Sequence, residues 1–211
     1  MEPVTLLPMF PLGSVLLPAM PLALRVFEPR YLEMMVDVLA QEPAEFGVVL
    51  IERGQEVGGG DRRFGIGTVA RVTEIEEGDG VVGLIARGAS RFEVIAWQAE
   101  DPYPRAEVRK LPALIWTEQC RTSLVEADRL VRTALALASE FVEASWSSDI
   151  ALADEPGDLV WQLAGITPVG LIDRLAFLRA GTTEELLSML IAETTGAVQA
   201  LRAGWSLGGL G

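Results

Sequence analysis

The pattern of apolar residues changes at Pro112, and this change constrains the fold more than any other feature of the chain. Before Pro112, apolar runs of strand length alternate with turns that contain proline and glycine. After Pro112, apolar residues recur at spacings of three and four, which predicts amphipathic helices. We therefore expect an α+β fold with a sheet in residues 1–112, helices in residues 113–203 and a flexible, glycine-rich tail in residues 204–211.

The first part of the chain predicts several short strands and one early helix. The apolar runs of strand length are residues 4–9, 22–27, 46–51, 64–75, 81–87, 90–97 and 105–111. The helix is expected to begin at Pro29, because proline suits the first helical position. The residues expected on its buried face are Leu32, Met35, Val36 and Leu39. Short strands with one helix favour a small, closed or nearly closed sheet.

The second part predicts helices that follow one another at short intervals. An apolar stripe that begins at Cys120 indicates one long helix that ends near Ser145. Further helices are expected from Pro156, after Thr167, and after Thr182, which has capping-box spacing to Glu185. Helices joined by short connections predict an α-helical bundle.

The charge of the chain argues against two classes of partner. Thirty acidic and 17 basic residues give a net charge of −13, and Lys110 is the single lysine. Nucleic acids and anionic lipids are bound mainly through Lys and Arg, so we expect neither nucleic acid nor membrane as a partner. Residues 3–24 carry no charge, but prolines interrupt them too often for a membrane helix or a signal peptide. Together with the single Cys120, this favours a cytoplasmic location.

Composition also excludes most catalytic classes. The chain has no histidine and one cysteine, so it cannot build a Ser-His-Asp triad, a Cys-His pair or a zinc site of the usual ligands. No phosphate-binding loop surrounds Lys110, and Gly65 and Gly67 lie in a strand-like run rather than in a dinucleotide motif. We therefore expect no cofactor, no metal and no enzymatic activity. A hydrolase with paired carboxylates stays an alternative, although no acidic pair stands out.

Two segments near the amino terminus admit both a structural and a functional interpretation. In Glu28-Pro29-Arg30-Tyr31 we favour the structural one, in which the charged residues tie the helix start to the sheet. The alternative is a charged pair that faces a ligand. Residues 6–20 are apolar and interrupted by proline, which favours core, with capture of polypeptides by flexible methionines as the alternative.

Two polar segments also admit two interpretations. Residues 54–63 are rich in glycine and charge, which favours a solvated loop over a binding flap. Residues 76–80 contain three acidic residues whose spacing fits no EF-hand, so a turn is favoured over a calcium site.

Seven segments, in order along the chain, resemble the Lon amino-terminal domain family. They are LLPMFPL (residues 6–12), VLLP (15–18), RVFEPRY (25–31), FGVVLI (46–51), GIGTVARV (65–72), RGASRF (87–92) and PYPRAEV (102–108). The resemblance covers residues 5–112 well, and the helical part is similar in layout. The family often has glycine after the proline that Pro18 matches, whereas this chain has Ala19.

The resemblance implies a PUA-like β-barrel with one early helix, followed by a C-terminal α-helical bundle. Since the chain stops at Gly211, we expect a stand-alone Lon-domain protein without ATPase and protease domains. The implied function is a non-catalytic module that binds unfolded or tagged polypeptides or a protease partner, as an accessory to ATP-dependent proteolysis. A homo-oligomer stays open, and a small-molecule or RNA sensor on the same barrel is the alternative function. The residues expected to bind polypeptide are Met9, Phe10, Leu12, Met20, Phe27, Glu28, Arg30 and Tyr31.

Overall fold

The computed structural model describes residues 3–53, 62–78, 81–140 and 146–208, and the chain divides into two compact units. The first unit is Met1–Ala113 and the second is Leu114–Gly211. The described residues form a six-stranded sheet and five α-helices, so the α+β class expected from the sequence is confirmed. None of the helices in these ranges is long and apolar enough to cross a membrane.

The first unit holds all the strands of the described residues and one helix. They are β1 (Val4–Leu12), β2 (Pro21–Val26), α1 (Pro29–Leu39), β3 (Glu45–Arg53), β4 (Arg62–Gly78), β5 (Val81–Trp97) and β6 (Arg105–Lys110). The order in the sheet is β2-β5-β4-β3-β1-β6, and β6 pairs with β5 as well as with β1. The pairings therefore form a closed circuit through β5, β4, β3, β1 and β6. β2 lies outside this circuit and, within the described residues, pairs with β5 alone.

β1 changes its partner at its middle, which lets it continue through two prolines. Residues 4–8 pair antiparallel with β6, and residues 9–12 pair parallel with β3. Proline cannot donate to a ladder, and Pro8 lies where one ladder ends. The sequence predicted a strand that stops at residue 9. The observed strand is longer because β3 takes over as the partner.

β5 passes through Gly88 without a break, so the prediction of two strands over residues 81–97 is wrong. A Cβ atom on Gly88 would lie 2.1 Å from the carbonyl oxygen of Leu17. The Gly88 N–H donates to the oxygen of Met20 at 2.9 Å, and the N–H of Ala19 donates to the Gly88 oxygen at 2.8 Å. The missing side chain thus lets residues 17–20 lie against β5. Within that segment, Ala19 has φ of 61°, in the left-handed region that favours glycine.

Two further predictions concern connections between strands. β4 extends to Gly78, so residues 76–78 belong to the strand rather than to the predicted turn, while residues 79 and 80 lie outside the described residues. Of the loop predicted over residues 54–63, residues 54–61 also lie outside them. Residues 62 and 63, which were also predicted in that loop, belong to β4.

Side chains from five strands fill the space inside the closed circuit. The buried cluster consists of Leu7, Met9, Val49, Val69, Phe92, Ala106 and Val108. Gly67 is required beside this cluster, because a Cβ atom there would lie 2.1 Å from the carbonyl oxygen of Val48 and 2.8 Å from the ring of Phe92. Burial of each large apolar side chain in such a core contributes about 1.5–3 kcal/mol.

α1 begins at Pro29 as predicted, but of the four residues predicted on its buried face only Met35 is buried. The buried residues are Tyr31, Met34, Met35 and Val38. Val36, predicted to be buried, is 70% exposed, and Leu39 is 37% exposed. Apolar residues occur on both sides of this helix, so spacing alone does not determine which side packs. Tertiary contacts with β1 decide it.

The second unit contains four of the five α-helices that the described residues form. A 3-10 turn (Glu118–Cys120) leads into α2 (Arg121–Ala138), which is followed by α3 (Pro156–Ile166), α4 (Leu171–Phe177) and α5 (Thr183–Gly208). The buried side chains of α2 recur at helical spacing and include Leu124, Ala127, Val131, Ala134, Leu135 and Ala138. The helical bundle layout thus has a continuous apolar seam along α2.

Three helix ends test the capping signals of the sequence. α2 ends at Ala138, so the predicted end near Ser145 is wrong, and residues 141–145 lie outside the described residues. The predicted cap of α5 is confirmed, because the N–H of Glu185 donates to Thr182 Oγ1 at 3.1 Å. The side-chain carboxylate of Glu185 in turn accepts a hydrogen bond from the N–H of Gly181 at 2.7 Å. α5 continues to Gly208, past the residue where the tail was expected to start, because helix-forming residues precede that point.

Candidate functional site

A cleft opens in the first unit where β1, β2 and the start of α1 meet. Its volume is about 200 Å³. The lining residues are Phe10, Leu12, Ala23, Leu24, Arg25, Val26, Phe27, Glu28 and Tyr31. Pockets for drug-sized ligands are commonly roughly 300–1,000 Å³, so this cleft suits a side chain better than a large cofactor.

The floor of the cleft is aromatic and firmly packed. The rings of Phe10 and Tyr31 stack with centroids 4.2 Å apart, and Phe10 also meets Phe46 at 6.1 Å. Side chains alternate across a strand, so Phe10 and Leu12 of β1 face the cleft while Met9 faces the core inside the circuit. The floor is therefore held in position by the opposite side of β1, which packs into the core.

One wall of the cleft is β2, an edge strand in the part of the chain that the structure describes. Ala23 and Arg25 are exposed, whereas Leu24 is half-buried and Val26 is buried, so the strand alternates between two environments. In an antiparallel pair, an edge strand directs the N–H and C=O groups of every second residue away from its partner. The cleft thus runs beside backbone groups that β5 does not use.

A large apolar side chain stands at the mouth of the cleft. Phe27 is 56% exposed, although it directly follows Val26, which is 1% exposed. A single exposed apolar residue is common on protein surfaces, but Phe27 borders an apolar cleft and so extends an apolar surface. The mouth can therefore contact an incoming apolar group before that group reaches the floor.

The charges near the cleft are partly neutralised. Arg30 Nε lies 3.2 Å from Glu28 Oε2, and Arg30 Nη1 lies 3.5 Å from Glu100 Oε2. The Arg30 guanidinium also stands over the Tyr31 ring, 4.5 Å from its centroid. These contacts fasten the first turn of α1, which supports the structural interpretation of the Glu28-Pro29-Arg30-Tyr31 segment. Arg25 differs, because it is exposed and takes part in no salt bridge among the described residues.

The lining of the cleft is poor in groups that do acid-base or metal chemistry. Glu28 is the one carboxylate in the lining, and mechanisms with paired carboxylates need a second one. Across residues 3–53, 62–78, 81–140 and 146–208, no group of three or more His, Cys, Asp or Glu side chains could hold a metal ion. What the cleft offers is apolar contact, an aromatic floor, one cation and free strand backbone.

The eight residues predicted to bind polypeptide separate into two groups. Five of them line the cleft: Phe10, Leu12, Phe27, Glu28 and Tyr31. Met9 and Met20 are buried at 0% and 7% exposure and do not line it, and Arg30 stands beside it through its pair with Glu28. The residues that sequence reasoning missed are Ala23, Leu24, Arg25 and Val26. Their apolar run was recognised as a strand, but a single strand does not reveal that it lies at an edge.

Comparison with known proteins agrees with the resemblance that the motifs indicated. Residues 6–195 match the family described as the ATP-dependent protease La (LON) substrate-binding domain. Lon protease 2 of Sorangium cellulosum (strain So ce56) is 32% identical over 109 residues, which are 50% of this chain. The match spans 13% of the length of that protease.

Two solved structures share the fold over most of the chain. The Lon N-terminal domain protein from Xanthomonas campestris has 29% identity and a TM-score of 0.60, with 89% of this chain and 98% of that chain covered. The N-terminal domain of the Mycobacterium avium complex Lon protease has 17% identity and a TM-score of 0.62, with coverage of 90% and 98%. The second likeness is one of fold. Because the family match runs from residue 6 to residue 195, the chain belongs to the LON substrate-binding domain family.

Proposed function

We propose that this chain is a non-catalytic module that captures apolar segments of unfolded or tagged polypeptides in the cleft between β1, β2 and α1. The observation that carries the proposal is an apolar cleft with an aromatic floor and an exposed Phe27 at its mouth, in a member of a substrate-binding domain family. The lining of the cleft contains one carboxylate, that of Glu28. Among the described residues, no group of three or more His, Cys, Asp or Glu side chains could hold a metal ion.

The size of the cleft supports weak and promiscuous capture. A volume of about 200 Å³ admits single side chains rather than a folded surface. Burying one Leu, Ile or Phe side chain contributes about 1.5–3 kcal/mol, which corresponds to roughly a 10- to 150-fold gain in affinity. Such an increment holds an unfolded segment briefly and releases it. Folded proteins hide these side chains, so the cleft distinguishes unfolded from native polypeptides.

We further propose a barrel architecture, a role in proteolysis and a location for this module, in line with its resemblance to the family. The closed circuit of β5, β4, β3, β1 and β6 supports the PUA-like barrel of the family. Capture of unfolded polypeptides would make the module an accessory to ATP-dependent proteolysis. We place this role in the cytoplasm and leave homo-oligomers and a direct protease contact as partners to be tested.

A matched pair of variants tests the role of the cleft. Phe27→Ser removes the exposed apolar residue at its mouth, and Val36→Ser removes one that is 70% exposed but does not line it. The probe is reduced and carbamidomethylated α-lactalbumin, a permanently unfolded polypeptide that is acidic. Since this chain carries −13, charge attraction does not explain its binding.

We expect Phe27→Ser to raise the dissociation constant for this probe about tenfold, the effect of losing roughly 1.4 kcal/mol of contact. Val36→Ser should bind as the unmodified chain does, and native α-lactalbumin should not bind. Isothermal titration calorimetry measures the constants, and circular dichroism verifies that both variants are folded. Equal affinity of the two variants, or no binding by the unmodified chain, would overturn the proposal.

A further inference from the structure

The cleft has a feature that apolar capture alone does not use, namely the free edge of β2. In the described part of the chain β2 pairs with β5 only, in an antiparallel register from Pro21 opposite Arg87 to Val26 opposite Val82. Every second residue of such a strand turns its N–H and C=O outward. Four of the nine residues that line the cleft belong to β2, so these groups lie along it.

An extended polypeptide is the occupant that satisfies this edge. Its own backbone repeats N–H and C=O groups at the same spacing as the strand, so the two can form a ladder. Cross-strand neighbours share a face, so side chains beside the half-buried Leu24 and the buried Val26 would lie on the sheltered face of β2, and those beside Arg25 on its exposed face. An added segment therefore needs apolar and polar residues in alternation.

Arg25 determines which polar residue fits best. It is exposed, it lines the cleft, and none of the salt bridges among the described residues includes it. The chain as a whole is acidic, but at physiological salt charges farther apart than about 8 Å are largely screened. A carboxylate in contact with Arg25 is attracted, while the more distant acidic groups act on it weakly.

We infer that an unfolded polypeptide adds to the free edge of β2 as a strand, with apolar residues in the cleft and an acidic residue between them paired with Arg25. This inference rests on the proposed function, because it assigns how the same cleft holds its client. The preferred segment is extended and has the order apolar–acidic–apolar. The alternation and the charge provide the sequence preference. The backbone ladder provides affinity for any extended chain.

Backbone methylation of a peptide tests the ladder without altering the protein. The probe is an eight-residue peptide of alternating leucine and serine with one central serine replaced by aspartate, blocked at both ends and labelled with fluorescein. It is used at nanomolar concentration, at which it stays monomeric, and its binding to the full chain is followed by fluorescence anisotropy. Two further peptides carry N-methyl groups on either the odd or the even residues.

Strand addition predicts that one methylated peptide loses binding by at least tenfold while the other binds within about twofold of the parent, because alternate N–H groups face the edge. Equal binding of the two methylated peptides, or failure of the parent peptide while unfolded α-lactalbumin binds, would overturn strand addition and leave apolar capture intact. Failure of both probes on the unmodified chain would overturn the proposed function as well.

Charge reversal tests Arg25 separately. We expect the aspartate peptide to bind about two- to fivefold more tightly than its lysine counterpart, the effect of one exposed ion pair. Arg25→Glu should reverse that order. Arg129→Glu makes the same change in net charge on an exposed position of α2 and should leave the order unchanged. An order that Arg25→Glu does not alter, or that Arg129→Glu alters equally, would contradict the role of Arg25.

Discussion

The ring of Phe10 stacks on the ring of Tyr31, with centroids 4.2 Å apart and planes 11° from parallel. Phe10 belongs to β1 and Tyr31 to α1, and both line the cleft. The same contact therefore fastens the helix to the sheet and forms the floor of the candidate site. Stability and binding are consequently linked at this pair, and variants that aim at binding are better placed at the exposed Phe27.

A double-mutant cycle measures this stacking contact. Offset or stacked aromatic pairs contribute about 0.5–1.5 kcal/mol beyond the area that they bury. We expect Phe10→Leu and Tyr31→Leu to be less destabilising together than the sum of the two, by about 1 kcal/mol. Urea denaturation followed by circular dichroism provides the three differences in the free energy of unfolding. Strictly additive effects would show that the rings do not interact in solution.

Two glycines in the GIGTVARV segment of β4 have opposite requirements. A Cβ atom on Gly67 would lie 2.1 Å from the backbone oxygen of Val48, whereas a Cβ atom on Gly65 meets nothing within 4 Å. We expect Gly67→Ala to lower the free energy of unfolding by about 3 kcal/mol, since the neighbouring strand must move. Gly65→Ala should be neutral or raise it by about 0.5 kcal/mol, because alanine loses less backbone entropy on folding.

Thermal melts of the two glycine variants distinguish these cases directly. Both variants replace glycine by alanine in the same strand. The general difference in strand propensity between glycine and alanine therefore cancels when the two variants are compared. A Gly67→Ala protein as stable as Gly65→Ala would mean that β3 and β4 do not approach as closely at Gly67 as the fold requires.

Tyr103 fastens α1 through a hydrogen bond from its hydroxyl group. Its hydroxyl donates to Asp37 Oδ2 at 2.5 Å, and its side chain is almost fully buried. Burial raises the pKa of Tyr103, and the bond to the Asp37 carboxylate raises it further. We expect Tyr103→Phe to lower the free energy of unfolding by about 1.5–3 kcal/mol, the value of a hydrogen bond to a charged group.

The matched control for Tyr103→Phe is Asp37→Asn, which keeps an oxygen acceptor for the hydroxyl. It should lower the free energy of unfolding by less than Tyr103→Phe does. Chemical denaturation at neutral pH measures both, and a Tyr103→Phe protein of unchanged stability would show that this bond contributes nothing.

Glu184 accepts two side-chain hydrogen bonds at the start of α5. Its Oε1 accepts from Cys120 Sγ at 3.1 Å and from Thr117 Oγ1 at 3.0 Å. The bond from the Cys120 thiol is the main cause that lowers the pKa of Glu184 below its usual value near 4.5. A carboxyl whose pKa is lower in the folded state adds stability above its unfolded pKa and loses it as pH falls.

We therefore expect the difference in Tm between the unmodified chain and Glu184→Gln to be largest at pH 6 to 7. It should shrink below about pH 5, where the unfolded-state carboxyl begins to bind protons. Differential scanning calorimetry across pH 3 to 7 measures the difference. A constant difference over that range would show that the charge of Glu184 is not stabilised in the fold.

Spacing and turn signals predicted the class of the fold but not its finer packing. Pro29 marks a helix start because its ring already has helical φ, so this prediction needed no partner and is confirmed. The buried face of α1 depended on the position of Phe10, about 20 residues earlier in the chain, and the predicted face with Val36 is wrong. Local periodicity does not report contacts over such a separation.

The residues of the candidate site were likewise predicted only in part. Phe10, Leu12, Phe27, Glu28 and Tyr31 were predicted to bind polypeptide and come together in one cleft. The β2 wall was missed because edge position depends on the order of strands in the sheet. Ala19 occupies a position at which the family often has glycine. The backbone φ of 61° at this position explains the preference for glycine, and the sequence alone does not reveal this angle.

The most direct test of the account is an amide NMR titration of the isotopically labelled full chain with reduced and carbamidomethylated α-lactalbumin. Polypeptide capture at the cleft predicts that the largest chemical shift changes fall on the backbone amides of residues 23–28 and of Tyr31, with small changes in the helical unit. Changes confined to α2 and α5, with residues 23–28 unaffected, would contradict polypeptide capture at this cleft.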